Sequence, residues 1–214
     1  MRTLAPALLL LAAALPARQA AGDGLEVVPA GDGIRVKVSK QGFLSMLAHD
    51  HDFEVTRWSG VANVPDGDPG RASLALTIDA TSLRDRGKGM AAADRRKVES
   101  ETAGPKVLDT ARYPQITFRS ERVELDGSGA AEEARGTLHG RLSLHGQERP
   151  VAATFEARRE GSVWHARGQL RFRQSDFGMK PYVGLGGTIG VQDEVEIRFE
   201  VDLRPARKAG EGSG

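Results

Sequence analysis

The residues with the most chemical promise lie in "LSMLAHDHDFEV", residues 44–55. His49 and His51 stand two apart with Asp50 between them. On an extended strand that spacing puts both imidazoles on one face. Phe53 and Val55 continue the same parity, while Asp50, Asp52 and Glu54 point to water. Three chemistries fit. His49 and His51 could share a metal, but a zinc site takes three or four protein ligands. The chain has no cysteine, so a carboxylate from elsewhere would have to complete the set. The pair could instead contact the polar head of a ligand. It could also make structural hydrogen bonds near a rim, because a buried imidazole needs a partner for each nitrogen. These residues alone leave the three readings open.

The other candidates carry less. His139, His145 and His165 fall on the polar parity of their segments and read as solvated surface residues. "SDFG", 175–178, has the letters of a kinase magnesium motif without a glycine-rich loop, a strand lysine or an H-R-D run. It reads as a turn, with Asp176 capping backbone amides and Phe177 packing. "GLGGTIG", 184–190, lacks the Lys-Ser/Thr of a phosphate loop and runs into a strand. It reads as a flexible connection or a lid over a cavity mouth. "DRRKVE", 94–99, places Arg95, Arg96 and Lys97 on a helix, either as a solvated face or against an anionic head group at an entrance. Nothing here assembles a nucleophile with a base. The chain therefore reads as a non-enzyme with no cofactor.

The elements that must position these residues are mostly strands. Period-two alternation runs through "GIRVKVSK", "RASLALTID", "PQITFRS", "RGTLHGRLSLHG", "PVAATFEAR", "SVWHARGQLRFR" and "EVEIRFEVDL". A parity change after Phe118 predicts a bulge near Ser120. Turn signals separate the runs at 64–70, 125–130, 145–150 and 159–162. "MAAADRRKVESETAG", 90–104, predicts one helix ending at Gly104-Pro105. A helical turn is expected in "GFLSML", 42–47. About eight strands, each apolar on one face, require a sandwich or a closed barrel. Sequential hairpins favour an all-β, eight-stranded antiparallel barrel with a helical insertion. Gly136, Gly140, Ala153, Ala157, Ala166 and Gly168 are small inward residues on three consecutive strands. They either leave a ligand cavity or make room for a large neighbour.

Composition bounds the rest. Of 214 residues, 1–22 show an early arginine, an apolar run and small residues, the pattern of a secretory signal peptide. The run is too short to span a bilayer, which takes about 20 apolar residues. An exported, periplasmic protein is expected, without stable membrane insertion. Residues 25–203 read as one domain and 204–214 as a disordered tail. The chain carries 30 basic and 29 acidic residues, a balance that does not suggest a nucleic-acid surface.

Several stretches in order resemble the YceI-like family of exported bacterial lipid-binding proteins. They are "IDATSLRDRG" at 78–87, "VLDTARYPQITFRS" at 107–120, "GRLSLHGQERPVAATFEA" at 140–157, "QSDFGM" at 174–179 and the closing "DEVEIRFEVDL". The resemblance spans about residues 25–203. It implies a lipocalin-like barrel with an elongated cavity for a polyisoprenoid or similar long-chain amphiphile. The chain departs from the common pattern at "AHDHDFEV", and its helix lacks the R-D-x-H-L-R-S run of many members. The expected ligand-binding residues are Phe43, Leu47, Phe53, Leu76, Phe118, Leu142, Phe155, Trp164, Leu170, Phe172 and Phe177. His49 and His51 are the expected polar contacts. The expected partner is a long-chain lipid or isoprenoid, and the protein is expected to be a monomer or a side-by-side dimer.

Overall fold

The computed structural model describes residues 24–41, 50–127, 132–184 and 189–206. The expected signal peptide, the "GFLSML" turn, His49, and most of "GLGGTIG" and of the tail lie outside these residues.

Among the described residues there are eleven strands: β1 (Leu25–Gln41), β2 (His51–Val55), β3 (Trp58–Asn63), β4 (Ser73–Asp79), β5 (Leu83–Asp85), β6 (Gln115–Leu125), β7 (Glu133–Leu144), β8 (Gln147–Glu160), β9 (Val163–Arg173), β10 (Val183–Gly184) and β11 (Ile189–Pro205). One helix, α1 (Ala92–Ala103), lies between β5 and β6. The sheet closes on itself because β1 pairs with β11 from Leu25–Pro205 to Gln41–Gly190. Closure leaves the alternating apolar faces looking inward, and a closed barrel has no long free edge.

The eleven strands make an eight-stranded barrel because two barrel strands are each bent into two segments and the short β10 pairs only with β11, outside the ring. The lower part of β1 pairs with β3 and its upper part with β2. Likewise β4 pairs with β3, and β5 with β2. The two bends face each other and are stitched together. Thr56 Oγ1 donates to the Ser82 carbonyl at 2.8 Å, and Ser82 Oγ donates to the Arg57 carbonyl at 3.2 Å. Ser82 is fully buried, so these bonds are made away from water, where leaving them unmade would cost most.

The remaining wall, β4-β6-β7-β8-β9-β11, is a run of antiparallel neighbours. The bulge expected near Ser120 is present as a register shift between Ser120 and Arg122. At the β7–β8 turn both central residues have positive φ, His145 at 51° and Gly146 at 71°. That conformation matches the twist of a two-residue hairpin. A side chain at Gly146 would also meet the Tyr113 ring at 2.5 Å.

The predicted helix begins two residues later than its sequence pattern and ends at the expected Gly104. Its inward stripe is Arg95, Val98, Glu99, Thr102 and Ala103, and none of these is fully buried. Apolar burial therefore anchors α1 weakly, although such burial is the usual source of helix stability in proteins.

Candidate functional site

The barrel encloses a cavity of about 240 Å³. Its position follows from strand parity. Inward residues from every barrel strand line it, and of all its lining residues only Ser73, Thr102 of α1 and Gln174 of the 174–177 turn are conventional polar residues. None is charged. Val64, Pro69 and Ala72 line it from the 64–72 connection at one end. Thr102, Val107, Leu108 and Met179 line it at the other end, beneath α1.

Five of the six small inward residues divide between the two roles open to them, and the sixth, Gly136, takes neither, since a Cβ there would meet the Glu124 backbone. Ala153, Ala157 and Ala166 line the cavity, with Ala157 directly opposite Ala166. Gly140 and Gly168 make room for rings instead. A Cβ at Gly140 would lie 2.7 Å from the Phe118 ring, and one at Gly168 would lie 2.5 Å from Phe199. The glycines thus let two phenylalanines lie across neighbouring strands, and the alanines leave the space beside them.

Of the expected ligand contacts, Phe53, Leu76, Phe118, Leu142, Phe155, Trp164, Leu170 and Phe172 all line the cavity. Phe177 sits behind it, 1% exposed, with its ring edge-to-face on Phe172 at 5.1 Å. It supports the wall without facing the space. Phe43, Leu47 and His49 lie outside the described residues.

His51 is at the cavity's α1 end. It shares the inward parity of Phe53, whose ring is 5.9 Å from its own. Its Nδ1 lies 2.8 Å from Asp85 Oδ2. Asp85 is 1% exposed and forms a hub. Its Oδ1 accepts from Gly87 N–H at 2.6 Å, and its own N–H donates to Glu99 Oε1 at 2.9 Å. Arg95 then donates to the Gly87 carbonyl at 3.1 Å. A buried carboxylate needs such partners to offset its lost hydration. The network ties β2 and β5 to α1 and makes this end of the barrel, its mouth, polar beyond the cavity's own lining. Among the described residues no group of three or more His, Cys, Asp or Glu is placed to hold a metal ion. Sequence reasoning missed Asp85. The signal was there: Asp85 shares parity with Leu83, so an acid occupies an inward position.

Two readings of polar residues, those of His145 and Asp176, are corrected by the structure and a third is refined. His145 is not a solvated surface residue: its Nδ1 lies 3.1 Å from the Phe177 carbonyl and its ring meets Tyr113 edge-on. A turn residue has no strand parity, so alternation could not place it. His165 and His139 do lie on the outer face, but paired. His165 Nδ1 is 2.7 Å from Asp202, and His139 Nε2 is 3.2 Å from Glu124. In the 174–177 turn the capping carboxylate is Asp193, which accepts from Ser175 N–H at 2.8 Å and also bonds its hydroxyl.

The outer face is a lattice of ion pairs, and five of its carboxylates, Asp79, Glu124, Glu156, Glu196 and Asp202, are held low. Burial pushes the Asp202 carboxyl up, but bonds from Arg204 and His165 outweigh it and the net direction is down. Glu196 behaves the same way between Arg171 and Arg198. Asp79 is brought down to about 2 by bonds from Thr81 and Arg57.

Fold and site together define a closed antiparallel barrel built around an apolar chamber with one polar end. The chain belongs to the YceI-like family, whose domain model matches residues 26–203. Three solved structures share the fold. BcnA of Burkholderia cenocepacia is 22% identical over 78% of this chain and 95% of its own, with a TM-score of 0.56. A polyisoprenoid-binding domain from Saccharophagus degradans, implicated in plant cell wall breakdown, is 13% identical over 86% and 99%, with a TM-score of 0.57. The Campylobacter jejuni YCEI protein is 14% identical over 72% and 85%, with a TM-score of 0.55. At these identities the likeness is one of fold. No curated protein matches the chain.

Proposed function

We propose that this protein is exported and holds the apolar chain of a long amphiphile, polyisoprenoid or acyl, inside its barrel for sequestration or transport. The observation that carries the reading is the cavity wall, contributed by every barrel strand and free of charge. Burying apolar chain contributes about 0.8 kcal/mol per methylene, so such a wall binds by shape and area. An anionic head cannot share that space without a partner for its charge. The head group therefore stays outside the apolar chamber, with His51 at the α1 end as its polar contact, and the mechanism is binding without chemistry. The YceI-like family and the polyisoprenoid-binding neighbour support this reading.

Uptake of a fluorescent polyprenyl or fatty-acyl probe tests it. The wild-type protein takes up the probe. Ala157→Phe and Ala166→Phe, which place rings in the cavity from the neighbouring strands β8 and β9, abolish uptake while keeping a cooperative melt. Undiminished uptake by both folded variants would place the probe elsewhere and overturn the reading.

A further inference from the structure

Over most of the surface, arginines are paired with acids: Arg57 with Asp79, Arg141 with Glu121, Arg167 with Glu156. The barrel end that carries α1 is different. Lys88, Arg96, Lys97, Lys106 and Lys180 are exposed there, and none forms an ion pair among the described residues. The exposed acids at this end are Asp50, Asp94, Glu101, Glu148 and Asp176, and the exposed Arg84 and Arg149, which bond only to carbonyl oxygens, add to the cations, so positive charge has a small excess. Backbone geometry gathers part of the set, since Lys180 N–H donates to the Lys106 carbonyl at 3.1 Å. Two residues beyond Lys180, Tyr182 and Val183 are 57% and 60% exposed. They are two of the three large exposed hydrophobics among the described residues, and the third, Val61, stands alone on β3.

We propose that this end of the barrel docks on an anionic lipid bilayer. The negative surface potential of such a bilayer attracts lysine and arginine. A tyrosine beside an aliphatic residue suits the headgroup layer, where one end of the ring is wet and the other apolar. A protein partner of ordinary size would need about 800 Å² with an apolar centre, and two exposed apolar residues do not supply that. Docking here turns the mouth toward the bilayer, where a long-chain amphiphile resides. The attachment is peripheral and reversible, with no strand or helix inserted.

The absence of cysteine from the chain allows a single labelled site. An environment-sensitive dye is placed on Val183→Cys, and for comparison on Asp66→Cys in the 64–72 connection at the opposite end. Each protein is titrated with phosphatidylcholine vesicles, with and without about 30% phosphatidylglycerol. The Val183→Cys dye shifts to the blue on anionic vesicles only, and the shift is lost in about 1 M salt. The Asp66→Cys dye stays unchanged. Adding K88E, R96E and K97E weakens binding by at least about tenfold. No shift on anionic vesicles, an equal shift on zwitterionic ones, an equal response at position 66, or indifference to the charge reversals would each overturn the proposal. An acidic protein as the true partner would appear as the first of these. Docking does not depend on cavity occupancy, so its failure and a failure of probe uptake are separate results.

Discussion

The wall and the mouth of this barrel are built on different physics. In the wall, β6 to β9 and β11 pair through long ladders and bury rings such as Phe118 and Trp164. At the mouth, short strands and a helix with no fully buried residue are joined through Asp85 and its hydrogen bonds. Burial by area tolerates variation in detail. A buried carboxylate depends on every partner being present. The mouth also carries Arg95, whose buried Nε has no hydrogen-bond partner among the described residues. The side wall is held by buried area, and the α1 end by a few hydrogen bonds.

Substitutions can break that contrast, and the largest effect is expected in the wall. Phe118→Ala removes a ring that is 7% exposed and leaves a hole beside Gly140. It costs about 3–5 kcal/mol, read as a lowered urea midpoint with all probes moving together. Asp85→Ala at the mouth strands the Gly87 N–H and the His51 ring. It costs about 1–3 kcal/mol, and hydrogen exchange speeds up in β5 and α1 before the wall responds. If the wall exchanges equally fast, the mouth is not a separate unit.

Acid reaches the outer face next. Asp79 and Asp202 titrate below the usual carboxylate value in the folded protein. Their stabilisation is complete above the unfolded value of about 3.9 and is lost as pH falls through their lowered folded values. Stability therefore declines below about pH 4, and Asp202→Asn flattens that decline in urea midpoints measured against pH. The smallest effect is expected at an exposed pair. Arg71→Ala, opposite Asp66, changes stability by less than about 0.5 kcal/mol.

The same contrast explains what the sequence revealed. Strand parity is a property of each segment, so alternation alone located Phe155, Leu170 and Phe172 on the cavity wall. The barrel and the helix were legible for the same reason. The bends at 56–57 and 80–82 were not, because they depend on Thr56 and Ser82 meeting across two strands. The His51–Asp85 contact spans 34 residues, and no local pattern names such a partner. Whether Gly140 and Gly168 empty or fill the interior depended on Phe118 and Phe199 on adjacent strands. The unpaired cations around α1 became a feature only once the ion pairs elsewhere were visible.

Mass spectrometry of an organic extract of the purified protein tests the central claim most directly. A long-chain amphiphile near one equivalent per chain, depleted in Ala157→Phe and Ala166→Phe, is the predicted result. An extract with no such molecule, or one equally rich from the filled variants, would contradict a chain-holding cavity.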